Sequence, residues 1–151
     1  GVPGARWTPE ENVHVTLKFI GEIDEGLAAD IDEALAEVQA APFTMALAGV
    51  GAFDRRLIWA GVEPADPINA LRRKVETAAA RAGAPRSERR YAPHATIARV
   101  KQGDPTRIAG FLSTHALFRS EAFAVESFAL ISSVLGREQA RHRVEVEYPL
   151  G

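Results

Sequence analysis

The sequence predicts a single α+β domain in which three amphipathic helices pack on mostly antiparallel sheet. Three observations predict this class. Strand-like and helix-like runs are interleaved along the chain, each helix-like run begins near a capping aspartate, and no linker or low-complexity tract divides the 151 residues. A chain of this length buries a sizeable core, so a disordered protein is excluded.

Six segments read as strands because they are rich in β-branched and aromatic residues or alternate between apolar and smaller side chains. The first of them, 13–20, has valine, threonine and phenylalanine in close succession, and a turn at 54–56 separates the second from the third. The predicted strands are 13–20, 43–50, 57–62, 93–100, 121–134 and 143–148.

Three segments read as helices because apolar residues recur at intervals of three or four. The first begins at Asp24 and ends before Pro42. The second begins at Asp66-Pro67 and stops at Gly83, and a short third helix begins at Asp104-Pro105. The inward residues are predicted to be Leu27, Ile31, Leu35 and Val38, then Ile68, Leu71, Val75, Ala78, Ala79 and Ala82, then Ile108, Phe111 and Leu112.

Composition excludes several classes of function. The net charge is −2, from 18 basic and 20 acidic residues, which argues against a protein that coats long nucleic acid by bulk electrostatics. The chain has no cysteine, so disulfides, cysteine-ligated zinc, iron–sulfur clusters and thiol catalysis are ruled out. Charged residues interrupt every apolar run well short of a membrane span. We expect a cytoplasmic protein with no membrane partner.

One short pattern occurs twice, at 14–17 and at 94–97: histidine, apolar residue, threonine, apolar residue. Residues two apart on a strand share a face, so His14 and Thr16 should point one way and their apolar neighbours the other. His94 and Thr96 should likewise share a face, opposite their apolar neighbours. A lone histidine on a strand is more often structural, but two matching pairs among only four histidines favour a functional site.

Two imidazoles, each beside a hydroxyl, suit in-line attack on a phosphodiester. One neutral histidine can take a proton from the attacking water while the other, as imidazolium, protonates the leaving oxygen. The threonine hydroxyls can bond the non-bridging phosphate oxygens, whose charge grows in the transition state. Because protonation replaces a Lewis acid, this chemistry predicts neither a metal nor another cofactor.

The flanks of the repeated pattern resemble a known family. The segments at 6–22 and 91–99 are similar to the two signatures of bacterial and archaeal RNA 2′,3′-cyclic phosphodiesterases. These are the LigT/ThpR group of the two-histidine phosphoesterases, formerly called 2′–5′ RNA ligases. The segments at 51–53, 59–62 and 128–133 resemble the same family, so the similarity spans nearly the whole chain.

The resemblance implies a fold with two pseudo-symmetric lobes, in which two mostly antiparallel sheets line a central cleft and helices pack outside. Each lobe would supply one motif. Members of the family usually have a strand and a helix before the segment matched by Arg6-Trp7, and we expect both to be absent from the given sequence.

The resemblance also implies hydrolysis of 2′,3′-cyclic phosphate ends of RNA or nucleotides to 2′-phosphates, and in reverse a weak 2′–5′ ligation. His14 would protonate the departing 3′ oxygen and His94 would activate water. Thr16, Thr96 and Arg99 would hold the phosphate. The expected partner is RNA or a cyclic nucleotide, acted on by a monomer.

Two charged residues near the motifs are ambiguous. Strict alternation along the strand puts Arg99 on the face opposite His94, whereas the resemblance implies that it reaches the phosphate. A twist, bulge or bend in the strand would bring Arg99 to the face of His94. Alternatively, Arg99 is an ordinary surface arginine. Lys18 falls on the His14 face by alternation, where its stem would cover the rim of the cleft.

Contacts to the base or to the RNA backbone are harder to predict. Phe53 and Tyr91 could stack on a base, or they could belong to the core. Arg55 and Arg56, in the predicted turn, could follow the RNA backbone or form an ordinary solvated loop. Trp59, in an alternating strand, is predicted to be a core residue.

Two other classes of function compete with the enzyme. A non-catalytic module that binds RNA ends would use the same fold, but binding alone would not require both histidines. A metal-dependent hydrolase would use the histidines as ligands, but no histidine pair at helical spacing and no acidic cluster accompanies them.

Overall fold

The computed structural model describes residues 2–88, 90–101, 103–135 and 140–151, and it confirms the α+β class. The described residues form seven strands and three helices, with a short 3₁₀ turn at Glu10–Asn12. In chain order they are β1 (Ala5–Trp7), α1 (Glu25–Ala36), β2 (Phe43–Phe53), β3 (Leu57–Glu63), α2 (Asp66–Ala82), β4 (His94–Val100), α3 (Pro105–Thr114), β5 (Phe123–Val125), β6 (Ser127–Leu135) and β7 (Ala140–Pro149).

The strands form two sheets. The larger has five strands in the order β1-β4-β3-β2-β5, and β6 and β7 make a two-stranded sheet. The pairs β1–β4, β4–β3, β3–β2 and β6–β7 are all antiparallel. In the larger sheet, β4 therefore lies between β1 and β3.

The predicted helix boundaries are largely confirmed. The Asp24 side chain accepts a hydrogen bond from the Leu27 amide at 2.7 Å, and Asp104 caps α3 in the same manner. Gly83, with a φ of 116°, follows the last residue of α2. However, α1 ends at Ala36, earlier than the apolar periodicity suggested. None of the three helices in the described ranges has the length and apolar character that a bilayer span requires.

Two of the predicted strands are wrong in detail. The segment 13–20 is not a strand, and only Val15 makes an isolated β-bridge there. The predicted strand 121–134 is two strands, because β5 belongs to the five-stranded sheet and β6, after Glu126, to the two-stranded one. Strand β1 was not predicted, since three residues are too few to show an alternating pattern.

The chain divides into two compact units. Unit 1 comprises Gly1–Thr16, Met45–Asp66 and Tyr91–Phe123. Its core lies between the sheet and α3, where Ile58, Ala98 and Ile108 are buried and Phe111 packs against them. In unit 1, α3 therefore covers one face of β4 and β3.

Unit 2 comprises Leu17–Thr44, Pro67–Arg90 and Ala124–Gly151. Its core packs α1 and α2 against β6 and β7, with Ile31 and Val75 among the buried residues. The rings of Phe128 and Tyr148 stack at 4.9 Å, and the Tyr148 hydroxyl donates to Asp32 at 2.7 Å. Burial raises the pKa of Tyr148, and the hydrogen bond to Asp32 raises it further.

A buried ion pair in unit 2 corrects the prediction for Lys18, whose side chain does not cover a rim. Its ammonium donates to both carboxylate oxygens of Glu76, at 3.1 and 3.0 Å, and to the Pro85 carbonyl at 2.8 Å. The Ser87 amide donates to Glu76 at 2.6 Å. The next residue, Phe19, is 85% exposed, because the chain here is not a regular strand.

Hydrogen bonds also determine the protonation of Glu76. Burial by itself raises the pKa of this carboxyl, but the Ser87 amide, the Lys18 ammonium and the Ser87 hydroxyl all stabilise the carboxylate. Together they outweigh burial and hold the pKa below its ordinary value. The stabilisation is therefore complete above the ordinary carboxyl pKa and is lost as the pH falls through the lowered one.

We expect Lys18→Met to lower the free energy of unfolding by about 3–5 kcal/mol at neutral pH, because it leaves the Glu76 carboxylate buried without its counter-ion. Urea denaturation measures this loss, which should shrink on acidification as the carboxyl becomes protonated. The double variant Lys18→Met/Glu76→Met should be more stable than Lys18→Met alone.

The exposed ion pair between Arg119 and Glu63 provides a matched control. Arg119→Met should lower the free energy of unfolding by about 1 kcal/mol or less, because exposed ion pairs contribute little to stability. Equal losses for Lys18→Met and Arg119→Met would contradict the role given to the buried pair.

Candidate active site

One antiparallel β-bridge, between Val15 and Ala95, joins the two histidine–threonine motifs. Continuing this register by one residue in each direction sets His14 opposite Thr96 and Thr16 opposite His94. Directly opposite side chains share a face with their Cβ atoms about 4.5–5.5 Å apart, and diagonal neighbours lie about 7–8 Å apart. On this register we expect the four side chains at the corners of a rectangle, with the imidazoles at diagonally opposite corners.

Burial agrees with this arrangement. Ala95 is only 1% exposed and belongs to the core side of the sheet. His14 and Thr16 are exposed, and His94 and Thr96 are half-buried. Among the described residues, neither threonine hydroxyl has a hydrogen-bond partner, so both remain available to a ligand.

The two imidazoles are oriented by the same backbone contact. His14 Nδ1 lies 2.7 Å from the Asn12 carbonyl oxygen, and His94 Nδ1 lies 2.7 Å from that of Ala92. A carbonyl oxygen only accepts hydrogen bonds, so Nδ1 must be the protonated nitrogen in each ring. A neutral ring then carries its lone pair on Nε2, where it can act as a base, and a charged ring can donate from Nε2.

A β-bulge interrupts β4 directly after the motif. Ile58 and Trp59 are consecutive on β3, but their partners on β4 are Ala98 and Thr96. Ile97 is therefore an extra residue on β4. Beyond it, the alternation of side chains along this strand is shifted by one position.

The bulge resolves the ambiguity over Arg99. Arg99 pairs with Leu57, which shares a face with Trp59 and hence with Thr96. The side chain of Val100 is buried on the other face, whereas Arg99 is exposed. Arg99 therefore lies on the same face as the motif side chains, and strict alternation gave the wrong face.

Two aromatic rings stand beside His94 on the same face. Phe53 meets the imidazole edge-on at 5.2 Å between centroids, and Trp59 lies at 6.2 Å. The Trp59 ring covers Gly51, where any Cβ would overlap it. The prediction that Trp59 is a core residue is wrong, because its strand neighbours Ile58 and Ala60 are the buried ones.

Tyr91 links the two motifs through the backbone. Its hydroxyl donates to the Thr16 carbonyl at 2.9 Å, which fixes the position of one motif relative to the segment that leads into the other. A stacking contact of Tyr91 with a base stays a prediction.

Arg55 and Arg56 lie at the exposed tip of the β2–β3 turn. Asp54 and Arg55 have φ values of 50° and 56°, as in the type I′ turns that join tight hairpins. The Arg56 carbonyl accepts a hydrogen bond from the Val100 amide at 2.7 Å, which ties the turn to the end of β4. Contacts of the two arginines with RNA remain predictions.

That each lobe contributes one motif stays a prediction. Residues 14–16 of the first motif and the whole of the second belong to unit 1. The reason is the bridge between Val15 and Ala95, which attaches the first motif to β4 before the chain enters unit 2 at Leu17. No group of three or more His, Asp or Glu side chains in the described ranges could hold a metal ion.

Comparison with known proteins identifies the family. Residues 4–137 match the family model of the 2′-5′ RNA ligase superfamily. The chain is 34% identical over 142 residues to the RNA 2′,3′-cyclic phosphodiesterase of Archaeoglobus fulgidus, covering 89% of this chain and 78% of that one. This chain belongs to the 2′-5′ RNA ligase superfamily.

Other members of the superfamily are longer than this chain. A Geobacillus stearothermophilus protein, also named RNA 2′,3′-cyclic phosphodiesterase, is 42% identical over 109 residues, which are 68% of this chain but 35% of that protein. The Aeropyrum pernix protein of the same name is 39% identical over 67% of this chain and 60% of its own length.

Solved structures confirm the fold. E. coli LigT complexed with 3′-AMP matches with a TM-score of 0.79 at 23% identity, covering 97% of this chain and 82% of that one. Protein TT0787 of Thermus thermophilus matches with a TM-score of 0.76 at 25% identity over the same shares.

The paired carbonyl contacts predict the tautomer of both motif histidines. In long-range ¹H–¹⁵N NMR spectra, the neutral rings of His14 and His94 should carry hydrogen on Nδ1 and a lone pair on Nε2. His14→Gln and His94→Gln would assign the signals, and His115, whose ring lies tilted against Phe111 at 4.5 Å between centroids, serves as an internal reference. A hydrogen on Nε2 in either neutral ring would contradict the assigned orientation.

Proposed function

We propose that this protein hydrolyses 2′,3′-cyclic phosphate ends of RNA or of nucleotides to 2′-phosphates, with His14 and His94 as acid and base. The observation that carries the proposal is the bridge between Val15 and Ala95. Its register supports a site in which two imidazoles and two hydroxyls share one sheet face, close enough to flank a single phosphate group.

The threonines and Arg99 hold the reacting phosphate. The hydroxyls of Thr16 and Thr96 take the other two corners of the rectangle and donate to the non-bridging oxygens, whose negative charge grows as water attacks. Arg99 follows Thr96 on the same face and adds a guanidinium, which matches a phosphate with two parallel donors.

The histidines then transfer two protons. His94 Nε2 takes a proton from water, whose oxygen bonds to phosphorus. The bond between phosphorus and the 3′ oxygen breaks, and the His14 imidazolium donates its Nε2 proton to that oxygen. One water is consumed, the product carries a 2′-phosphate and a free 3′-hydroxyl, and proton exchange with solvent restores both rings.

Similarity to named enzymes supports the same reaction. The Archaeoglobus relative bears the name RNA 2′,3′-cyclic phosphodiesterase, as do the Geobacillus and Aeropyrum relatives. All of the proposed groups come from one chain, so a monomer is sufficient for catalysis. A cysteine-free chain that acts on RNA ends is also in keeping with a cytoplasmic location.

Removing either motif histidine should abolish most of the activity. With 2′,3′-cyclic AMP as substrate, His14→Ala and His94→Ala should each lower kcat by a factor of about 10²–10⁴, the usual contribution of general acid–base catalysis. KM should change less, because both threonines and Arg99 remain. His115→Ala, on the C-terminal end of α3, is the matched control and should keep full activity.

Three results would separate this proposal from its alternatives. A profile of kcat/KM against pH with two limbs indicates a paired acid and base, and each limb should disappear with its histidine. Binding of cyclic nucleotide without turnover would favour the non-catalytic RNA-end module. Loss of activity in EDTA, with recovery on adding a divalent metal, would favour the metal-dependent hydrolase.

A further inference from the structure

A second arginine lies next to Arg99 in the sheet. Strand β1 pairs with β4 so that Arg6 is directly opposite Arg99. The flanking residue of β1, Trp7, packs its ring against Phe111 of α3 at 5.6 Å between centroids. Neighbours on a strand face opposite ways, so Arg6 points away from α3, toward the face that carries the motifs.

The bulge at Ile97 determines which face of the sheet carries this arginine pair. Because the bulge turns Arg99 onto the motif face, its cross-strand partner Arg6 lies there too, and both side chains are exposed. The face then presents Thr96, Arg99 and Arg6 in that order, leading away from the two histidines.

We propose that Arg6 binds a second phosphate of the substrate, the phosphodiester that precedes the terminal nucleotide, while Arg99 stays on the reacting phosphate. A guanidinium has five donors in a rigid fork and binds phosphate through two parallel hydrogen bonds. The protein therefore prefers RNA ends of two or more nucleotides over cyclic mononucleotides. This inference rests on the proposed function and assigns the substrate class of the same site.

The test compares two substrates: a ribodinucleotide with a 2′,3′-cyclic end, and 2′,3′-cyclic AMP, which lacks the second phosphate. Arg6→Gln should lower kcat/KM for the dinucleotide about tenfold and for the mononucleotide less than twofold. A plot of the logarithm of dinucleotide affinity against the logarithm of salt concentration should also become less steep in Arg6→Gln. The slope should change by about 0.7, the contribution of one phosphate contact. Arg107→Gln removes an exposed arginine from α3, on the other side of the sheet, and should leave kcat/KM unchanged for both substrates.

Two results would overturn the inference: equal losses for both substrates at an unchanged unfolding midpoint, or no loss for either. The first would place Arg6 on the reacting phosphate, and the second would remove it from the site. If the wild-type protein turns over neither substrate, the proposed function fails instead. Calorimetric affinities for 2′-phosphorylated dinucleotide and mononucleotide would then test the same preference, again with Arg6→Gln.

Discussion

The site depends on the single antiparallel contact between Val15 and Ala95. The two motifs are 80 residues apart, and nothing in their local sequence requires them to meet. Once one residue of each is paired, the geometry of an antiparallel ladder places the other four side chains. Tyr91 reinforces this pairing with a hydrogen bond to the Thr16 carbonyl, because it belongs to the segment that precedes His94.

A second constraint is the extra residue in β4. If β4 ran through Ile97 without a bulge, strict alternation would turn Arg99 toward α3 and would take Ala98 and Val100 out of the core. The bulge keeps the histidine and threonine on one face, the apolar residues in the core, and both arginines beside the site. Bulges next to active sites commonly redirect a side chain in this manner.

The sequence predicted the elements and residues whose signals are local. The caps at Asp24 and Asp104, the limits of β4 and the two His-x-Thr pairs each depend on neighbours a few positions away. The errors concern tertiary contacts. The segment 13–20 has a strand composition but leaves the sheet after Val15, and Lys18 is buried by Glu76, a partner 58 positions away.

Arg6 lies in the segment that resembles the first family signature, but the sequence predicts no role for it, because β1 is too short to show a pattern of its own. The sequence predicts Trp59 in the core because alternation alone does not say which of the two faces of β3 is covered. For both residues, the sequence does not reveal the cross-strand partner, which only the register of the sheet supplies.

The most direct test of this account is an experimental structure with a bound 2′-phosphorylated nucleotide, the expected product. The account predicts one phosphate bonded by the hydroxyls of Thr16 and Thr96, with the Nε2 atoms of His14 and His94 on opposite sides of it. A phosphate held by one motif alone, or bound away from both, would contradict the claim that the bridge between Val15 and Ala95 builds the active site.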